Sequence, residues 1–150
     1  MNLSDEEIRK IKEAGFLHDI GKIVLSDKLL KNNGTLTDEE KKKLKEHPIV
    51  GYRILNYFDE TLDLAECVLA HHEAWDGSGY PKGSKGEEIP KLARIISVAE
   101  SYNAMTNKVI NKHTLSKEAA ISELQKYSGS KFDPDIVDVF IKKVLDYHEY

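Results

Sequence analysis

The sequence predicts an all-α fold of about six to seven helices in one compact domain over residues 1–150. Two of the helical stretches open with a capping box, in which Ser or Thr is followed three residues later by Glu. Apolar residues then recur at the spacing of a helix face. No stretch alternates apolar and polar residues for long enough to predict a β-strand, and no repeat or linker divides the chain.

The first part of the chain contains both capping boxes. SDEE at 4–7 opens a helix whose apolar stripe runs to His18, and TDEE at 37–40 opens a charged helix. Pro48 should interrupt that second helix just after His47, before a further helix resumes. We therefore expect His18 at a helix end and His47 at a helix junction.

The middle of the chain predicts a helix, a long loop and a second helix. The apolar pattern of residues 61–70 is helical and ends at the pair of histidines at 71–72. Four glycines and two prolines interrupt residues 75–90, which predicts an ordered functional loop. Residues 92–106 form the most apolar helical stretch, expected to be central, and Glu100 inside it needs a polar partner.

The last part of the chain predicts two further helices. The first spans about 116–127, and the second begins with Asp133 as N-cap and Pro134 in its first turn.

Composition excludes several functions. The net charge of −4 argues against wrapping of long nucleic acid, although bound cations would still allow a small phosphate-bearing ligand. No apolar run approaches the length of a membrane span, and the first residues lack the pattern of a signal peptide. Cys67 is the only cysteine, so no internal disulfide forms, and a reducing cytoplasm is the expected location.

Histidines and carboxylates predict a metal centre that uses two ions. Imidazole and carboxylate ligands without thiolate favour iron or manganese, and zinc, nickel and magnesium are also compatible. The two oxygens of Asp19 suit a carboxylate that bridges two metals about 3.5–4 Å apart. Lys22 lies one helical turn after His18, where it is able to hold a phosphate oxygen, and the small Gly21 is expected to leave access. The candidate ligands are His18, Asp19, His47, His71, His72 and Glu100.

Each candidate also has a simpler explanation when it is taken alone. His47 fits a junction histidine, Lys22 a solvated lysine, and the other histidines polar groups at helix ends. Glu100 fits a carboxylate that pairs with a nearby cation such as Arg94. Trp75 in the loop fits an anchor packed on the core as well as it fits a substrate contact, and the same holds for Tyr80. The joint occurrence of the ligand types favours the metal centre.

The motifs resemble the HD-GYP family along nearly the whole chain: HDIGK at 18–22, HP at 47–48, HHEAWDGSGYP at 71–81 and ARIISVAESYNAMT at 93–106. The resemblance implies a helical HD domain that hydrolyses the bacterial messenger cyclic di-GMP. It implies that His18, Asp19, His47, His71, His72 and Glu100 bind iron or manganese. It also places Lys22 at the active site with Asp19, and makes Lys22, Tyr80 and Lys112 the candidate substrate-binding residues.

Three differences from the family pattern modify these expectations. No residue before His18 supplies the further metal-binding histidine of the family's additional N-terminal helix, so the domain is expected to be N-terminally incomplete. Glu100 stands where the family has aspartate, and the basic segment after residue 106 keeps its basic group only at Lys112, with Lys108 as a shifted substitute. A groove exposed where that helix would pack predicts a homodimer.

The differences predict two metal sites of unequal strength. The stronger one is served by Asp19, His47, His71 and His72, and the weaker one by His18, Asp19 and Glu100.

The predicted function is hydrolysis of cyclic di-GMP to linear pGpG, GMP or both, with a sensor or receiver domain as regulatory partner. Two alternatives remain open. One is a degenerate, non-catalytic signalling module that binds a nucleotide or a partner protein, and the other is a phosphohydrolase for another nucleotide.

Overall fold

The computed structural model describes residues 1, 3–30, 35–107 and 114–146. These ranges contain no β-strand, and their only β-type pairing is an isolated bridge between Ser128 and Phe132. The all-α prediction is therefore confirmed. The α-helices are α1 (Asp5–Leu17), α2 (Asp27–Leu30), α3 (Asp38–Lys45), α4 (His47–Leu55), α5 (Leu62–Ala70), α6 (Lys91–Thr106), α7 (Lys117–Lys126) and α8 (Pro134–Val139).

Shorter helical segments connect these elements. Short 3₁₀ helices occupy Ile20–Val24, Asp59–Thr61 and Gly86–Glu88, and α8 continues with π-helical geometry over Phe140–Leu145. Since α2 is a single turn, seven longer α-helices remain in the described ranges, in agreement with the six to seven expected.

The predicted helix starts are confirmed at their caps. The Ser4 hydroxyl accepts the N–H of Glu7, whose carboxylate accepts the N–H of Ser4 in return, and the box that opens α3 is built in the same way. The carboxylate of Asp133 caps α8. The predicted junction is present, but the new helix α4 begins at His47 and not after Pro48, because a proline in the first turn lacks only an N–H that would make no helical hydrogen bond.

Helix α6 packs between two apolar clusters, as its apolar sequence predicted. Ala93 and Ile96 join the first cluster, which α1, α4 and α5 complete. Val98 joins the second, which includes Leu124 of α7 and Ile136 of α8. Burial against both clusters holds α6 in place along its length, which positions Glu100 near its middle.

Gly21 lets the Ile20–Val24 turn lie directly against α4. A β-carbon at this buried glycine would overlap the carbonyl oxygen of His47 and crowd the N–H of Gly51. The expectation that Gly21 leaves access to the site is therefore wrong, because the space that a side chain would occupy is filled by the backbone of α4. This packing brings Asp19 and Lys22 beside the start of α4.

None of the helices in the described ranges combines the length and the apolar character needed to cross a bilayer.

Candidate metal centre

The ends of several helices and the middle of α6 bring the six predicted ligands together in two groups. His47, His71 and His72 form one group, and His18, Asp19 and Glu100 form the other. Within each group the ligand-type atoms lie within 4.8 Å of one another. Residues separated by more than 80 positions thus meet at one place.

Backbone carbonyl groups orient three of the histidine rings. The Nδ1 atoms of His18, His47 and His71 each lie 2.5–2.7 Å from the carbonyl oxygen of the residue three positions earlier. A carbonyl oxygen only accepts hydrogen bonds, so Nδ1 carries the ring hydrogen and Nε2 presents a lone pair. This is the tautomer that binds a metal through Nε2.

The resulting lone pairs face one another. The Nε2 atoms of His47 and His71 are 3.3 Å apart, and neither has a hydrogen to share when both rings are neutral. Burial lowers the pKa of His71 to about 4, so this ring is neutral at neutral pH and its Nε2 presents a lone pair. Oδ1 of Asp19 is also buried, and it has no hydrogen bond within the described part of the chain. A divalent cation would satisfy all three atoms, so the donor set fits a metal.

Asp19 lies between the two groups. Its Oδ1 is 3.3 Å from Nε2 of His47, and its Oδ2 is 3.5 Å from Nε2 of His18. Oδ2 also accepts a hydrogen bond of 2.6 Å from Nζ of Lys22. Burial raises the pKa of the Asp19 carboxyl, but His47 and Lys22 together lower it well below its usual range. The carboxylate is therefore ionised and presents one oxygen to each group.

Glu100 faces the site from α6. Its Oε1 is 4.0 Å from Nε2 of His18, and burial raises the pKa of its carboxyl. Pairing with Arg94, the simpler explanation, is wrong, because Nη1 of Arg94 binds Oδ2 of Asp133 at 2.7 Å. Arg94 also lies over the ring of Trp75, 5.5 Å from its centroid, which favours Trp75 as a loop anchor.

Tyr80 covers His72 at the edge of the site. The two rings are stacked, with centroids 5.0 Å apart and planes 24° from parallel. Burial, with a smaller contribution from His71, lowers the pKa of His72 to about 2, so this ring stays neutral. Burial and the charge of Glu100 raise the pKa of Tyr80 to about 12. Tyr80 therefore keeps its hydroxyl hydrogen and can donate it to a ligand.

Glu73, to which sequence reasoning gave no role, organises the loop that carries Tyr80. Its carboxylate is only 4% exposed and accepts the N–H of Lys82 at 2.7 Å and the N–H of Ser84 at 3.1 Å. A β-carbon at Gly79 would overlap the N–H of Ala74, so the loop folds back closely on the end of α5. The sequence signal for this role was a carboxylate placed directly before a glycine-rich loop, because the N–H groups of such a loop need hydrogen-bond acceptors.

Two open cavities adjoin the ligand groups. The α1–α6 cavity, about 470 Å³, is bordered by His18, Asp19, Lys22 and Glu100, with an apolar wall that includes Ile11.

The loop cavity, about 500 Å³, is bordered by His72, Tyr80 and Glu100, and by two lysines that sequence reasoning missed, Lys45 and Lys131. Nζ of Lys45 lies 5.2 Å from the centre of the Tyr80 ring. The predicted substrate residues Lys22 and Tyr80 thus border different cavities, and Lys112 lies outside the described residues, where its role stays a prediction.

Comparison with known proteins finds relatives both in sequence and in fold. The family model described as HD domain matches residues 1–136. A cyclic di-GMP phosphodiesterase of Thermotoga maritima is 42% identical over 144 residues, which cover 95% of this chain and 39% of that protein. The chain thus spans about two fifths of the length of that relative.

Two solved structures are similar in fold at 22% identity each. One is the cyclic GMP-AMP specific phosphodiesterase V-cGAP3 of Vibrio cholerae, with a TM-score of 0.72 over 97% of this chain and 40% of that one. The other is Bd1817, an HD-GYP protein of Bdellovibrio bacteriovorus, with a TM-score of 0.71 over 95% of this chain and 45% of that one. With the family match over most of its length and the HHEAWDGSGYP motif at 71–81, the chain belongs to the HD domain family, within its HD-GYP group.

Proposed function

We propose that this chain is a metal-dependent phosphodiesterase that hydrolyses cyclic di-GMP to linear pGpG, GMP or both. The observation that carries the proposal is the pair of ligand groups that meet at Asp19, beside Lys22 and two open cavities. The name of the relative from Thermotoga maritima supports the choice of substrate.

Six residues would hold two ions, for which we propose iron or manganese. His47, His71 and His72, with Oδ1 of Asp19, would hold the first ion, and His18, Glu100 and Oδ2 of Asp19 the second. When bound, two divalent cations activate a water molecule for in-line attack on a phosphodiester and neutralise charge on the attacking and leaving oxygens. We expect the second ion to bind more weakly, because Lys22 already occupies Oδ2 of Asp19.

Lys22 and Tyr80 would act on the substrate from the two different cavities that they border. The ammonium of Lys22, held by Asp19, is positioned to bind a non-bridging phosphate oxygen. The Tyr80 hydroxyl, which stays protonated at neutral pH because its pKa is raised to about 12, would donate a hydrogen bond to a second oxygen. Both contacts orient the phosphodiester, which is the main task of the protein in such a reaction.

The deciding experiment measures turnover and binding of cyclic di-GMP together. Protein reconstituted anaerobically with iron or manganese should hydrolyse cyclic di-GMP, and Asp19→Asn should abolish turnover. Asp38→Asn, which removes an exposed carboxylate at the start of α3, is the matched control and should leave turnover unchanged. Absence of turnover in the native protein under these conditions would refute the proposal.

A non-catalytic nucleotide-binding module is the second candidate. It is favoured by the group of His18, Asp19 and Glu100, which offers only three side chains and a 4.0 Å separation between Oε1 and Nε2. Binding of cyclic di-GMP without turnover would select this candidate. Turnover confined to another nucleotide would select a different phosphohydrolase, and 3′3′-cyclic GMP-AMP is the first alternative to assay because V-cGAP3 is named for it.

The proposal has three wider parts. We propose that residues 1–150 form one domain, supported by the family match over 1–136 and by the packing of α6 against both apolar clusters. The lone buried thiol of Cys67 supports a cytoplasmic location. The greater length of the relative supports an accompanying sensor or receiver domain, and the apolar wall of the α1–α6 cavity supports a homodimer, which size-exclusion chromatography with light scattering would test.

A further inference from the structure

A third cavity, which the proposed catalytic residues do not border, lies between α6 and α7. This α7 cavity has a volume of about 470 Å³, and Ser101, Glu123, Tyr127 and Lys131 contribute its polar side chains. It shares Ser101, Ala104 and Lys131 with the loop cavity. The two cavities therefore adjoin, and together they lead from His72 and Glu100 to the end of α7.

The α7 cavity presents a carboxylate, an aromatic ring and apolar surface to a ligand. Met105 and Phe132 provide the apolar part. The Tyr127 ring is 40% exposed, and Nζ of Lys126, which does not border the cavity, lies 4.8 Å from its centroid. The same Nζ is 3.3 Å from Oε1 of Glu123, with side chains 60% and 39% exposed. An ion pair as exposed as this one is weak, so the Glu123 carboxylate remains able to accept hydrogen bonds from a ligand.

Lysine side chains make the path between the cavities suitable for an anion. Lys131 stands on the shared border, and Lys45 stands at the Tyr80 side of the loop cavity. Within the described residues, neither lysine has a carboxylate within ion-pair distance, and their closest aromatic contacts are the rings of Phe132 and Tyr80. Two ammonium groups without carboxylate partners provide positive potential in a chain whose net charge is −4.

We propose that the α7 cavity binds one guanine base of a cyclic dinucleotide, with Glu123 accepting hydrogen bonds from its N1–H and N2–H groups, Tyr127 stacking on the ring, and Lys131 holding the adjoining phosphate. This inference rests on the proposed function, since the other phosphodiester lies at the ligand groups. Guanine fits because its Watson–Crick edge offers two neighbouring donors to a carboxylate. Adenine presents an acceptor at N1, which would face the carboxylate unfavourably.

Exchange of Glu123 for Gln tests the base preference directly. A glutamine offers one acceptor and one donor, the pattern that matches adenine in place of guanine. We expect Glu123→Gln to weaken binding of cyclic di-GMP about tenfold, at the lower end for a bidentate contact because Glu123 is 39% exposed. The same change should improve relative binding of cyclic di-AMP, the comparison ligand because it carries no guanine that could occupy the cavity. Tyr127→Leu should weaken both ligands by the same factor, because stacking does not distinguish purines.

The measurement uses hydrolysis-resistant bis-phosphorothioate analogues of both cyclic dinucleotides with the metal-loaded protein, beside turnover of the natural compounds. Asp138→Asn is the matched control, because it removes another exposed helix ion pair, to Lys142, and borders none of the three cavities. Circular dichroism verifies folding, and Glu123→Ala is a second variant that should lose guanine preference without gaining adenine.

The outcomes separate the two claims. If the native protein prefers guanine in the binding isotherm and Glu123→Gln removes that preference, the inference is supported. It is supported even if cyclic di-GMP is not hydrolysed, and in that case the proposed function alone fails. Turnover of cyclic di-GMP with the same base preference in Glu123→Gln and Asp138→Asn overturns the inference and leaves the proposed function standing. Failure of the native protein to bind either analogue overturns both.

Discussion

Removal of the Glu73 carboxylate should loosen the loop that carries Tyr80. In Glu73→Ala the N–H groups of Lys82 and Ser84 lose their acceptor, which receives them at 2.7 and 3.1 Å from a 4% exposed side chain. Hydrogen bonds to a charged group contribute about 1.5–3 kcal/mol each. Because Lys82 is exposed and Ser84 half-buried, water replaces part of this loss, and the lower figure applies.

Two such bonds give a decrease of about 3 kcal/mol in the free energy of unfolding, and therefore a melting temperature lower by roughly 6–12 °C for a chain of this size. Glu73→Gln keeps one acceptor oxygen, so about half of the effect is expected. Urea denaturation gives the free energy, and hydrogen exchange at the Lys82 and Ser84 amides reports on the loop itself.

Exposed Glu66→Gln is the matched control, since it removes a carboxylate that pairs with the Lys82 side chain on the surface. It should change the free energy of unfolding by less than about 1 kcal/mol. If Glu73→Ala retained native stability and native protection of both amides, the role assigned to Glu73 would be refuted. If the free energy of unfolding of Glu73→Ala fell while the hydrogen-exchange protection of both amides matched that of the rest of the chain, Glu73 would stabilise the core in general and not the loop in particular.

Other predictions follow from the site and the packing. Manganese at 100 times its dissociation constant should stabilise the protein by about 2.7 kcal/mol, and His71→Ala should lose most of this effect in a thermal melt. Gly21→Ala should destabilise the protein by about 3 kcal/mol, because its β-carbon meets the His47 backbone. Gly15→Ala in α1, where no atom lies near the new β-carbon, should stabilise the protein by about 1 kcal/mol. Equal melting temperatures of the two variants would contradict this. The Cys67 thiol, whose pKa burial raises to about 12, should resist a disulfide reagent at pH 8.5 until guanidinium unfolds the chain.

The helices and the residues of the candidate site were readable from the sequence because their signals are local. A capping box or a proline in a first turn acts within four residues, so α1, α3 and α8 start where the sequence predicts, and α4 starts at the predicted junction, at His47. The ligand types at fixed motifs identified the histidines and carboxylates that the fold then brings together. The metal-ligating residue types in these motifs, more than the helical spacing of apolar residues, predicted which segments lie close together.

The remaining features depend on approaches between distant segments. The role of Gly21 is visible only when the turn after Asp19 lies against the His47 backbone. Arg94 pairs with Asp133, 39 residues away, and no local pattern distinguishes that partner from the nearer Glu100. Lys131 reaches the loop cavity because the N–H of Trp75 binds its carbonyl oxygen at 3.2 Å.

The histidine–carbonyl hydrogen bonds also bear on how the proposed metal centre, which has two carboxylates, would tolerate two cations. Each accepting carbonyl belongs to the last turn of a helix: α1 for His18, α3 for His47 and α5 for His71. Carbonyl groups at such ends carry the negative pole of the helix. Three helix termini therefore polarise the imidazole rings toward the site and make each Nε2 a stronger base. The backbone supplies part of the negative potential that formal charges alone would otherwise have to provide.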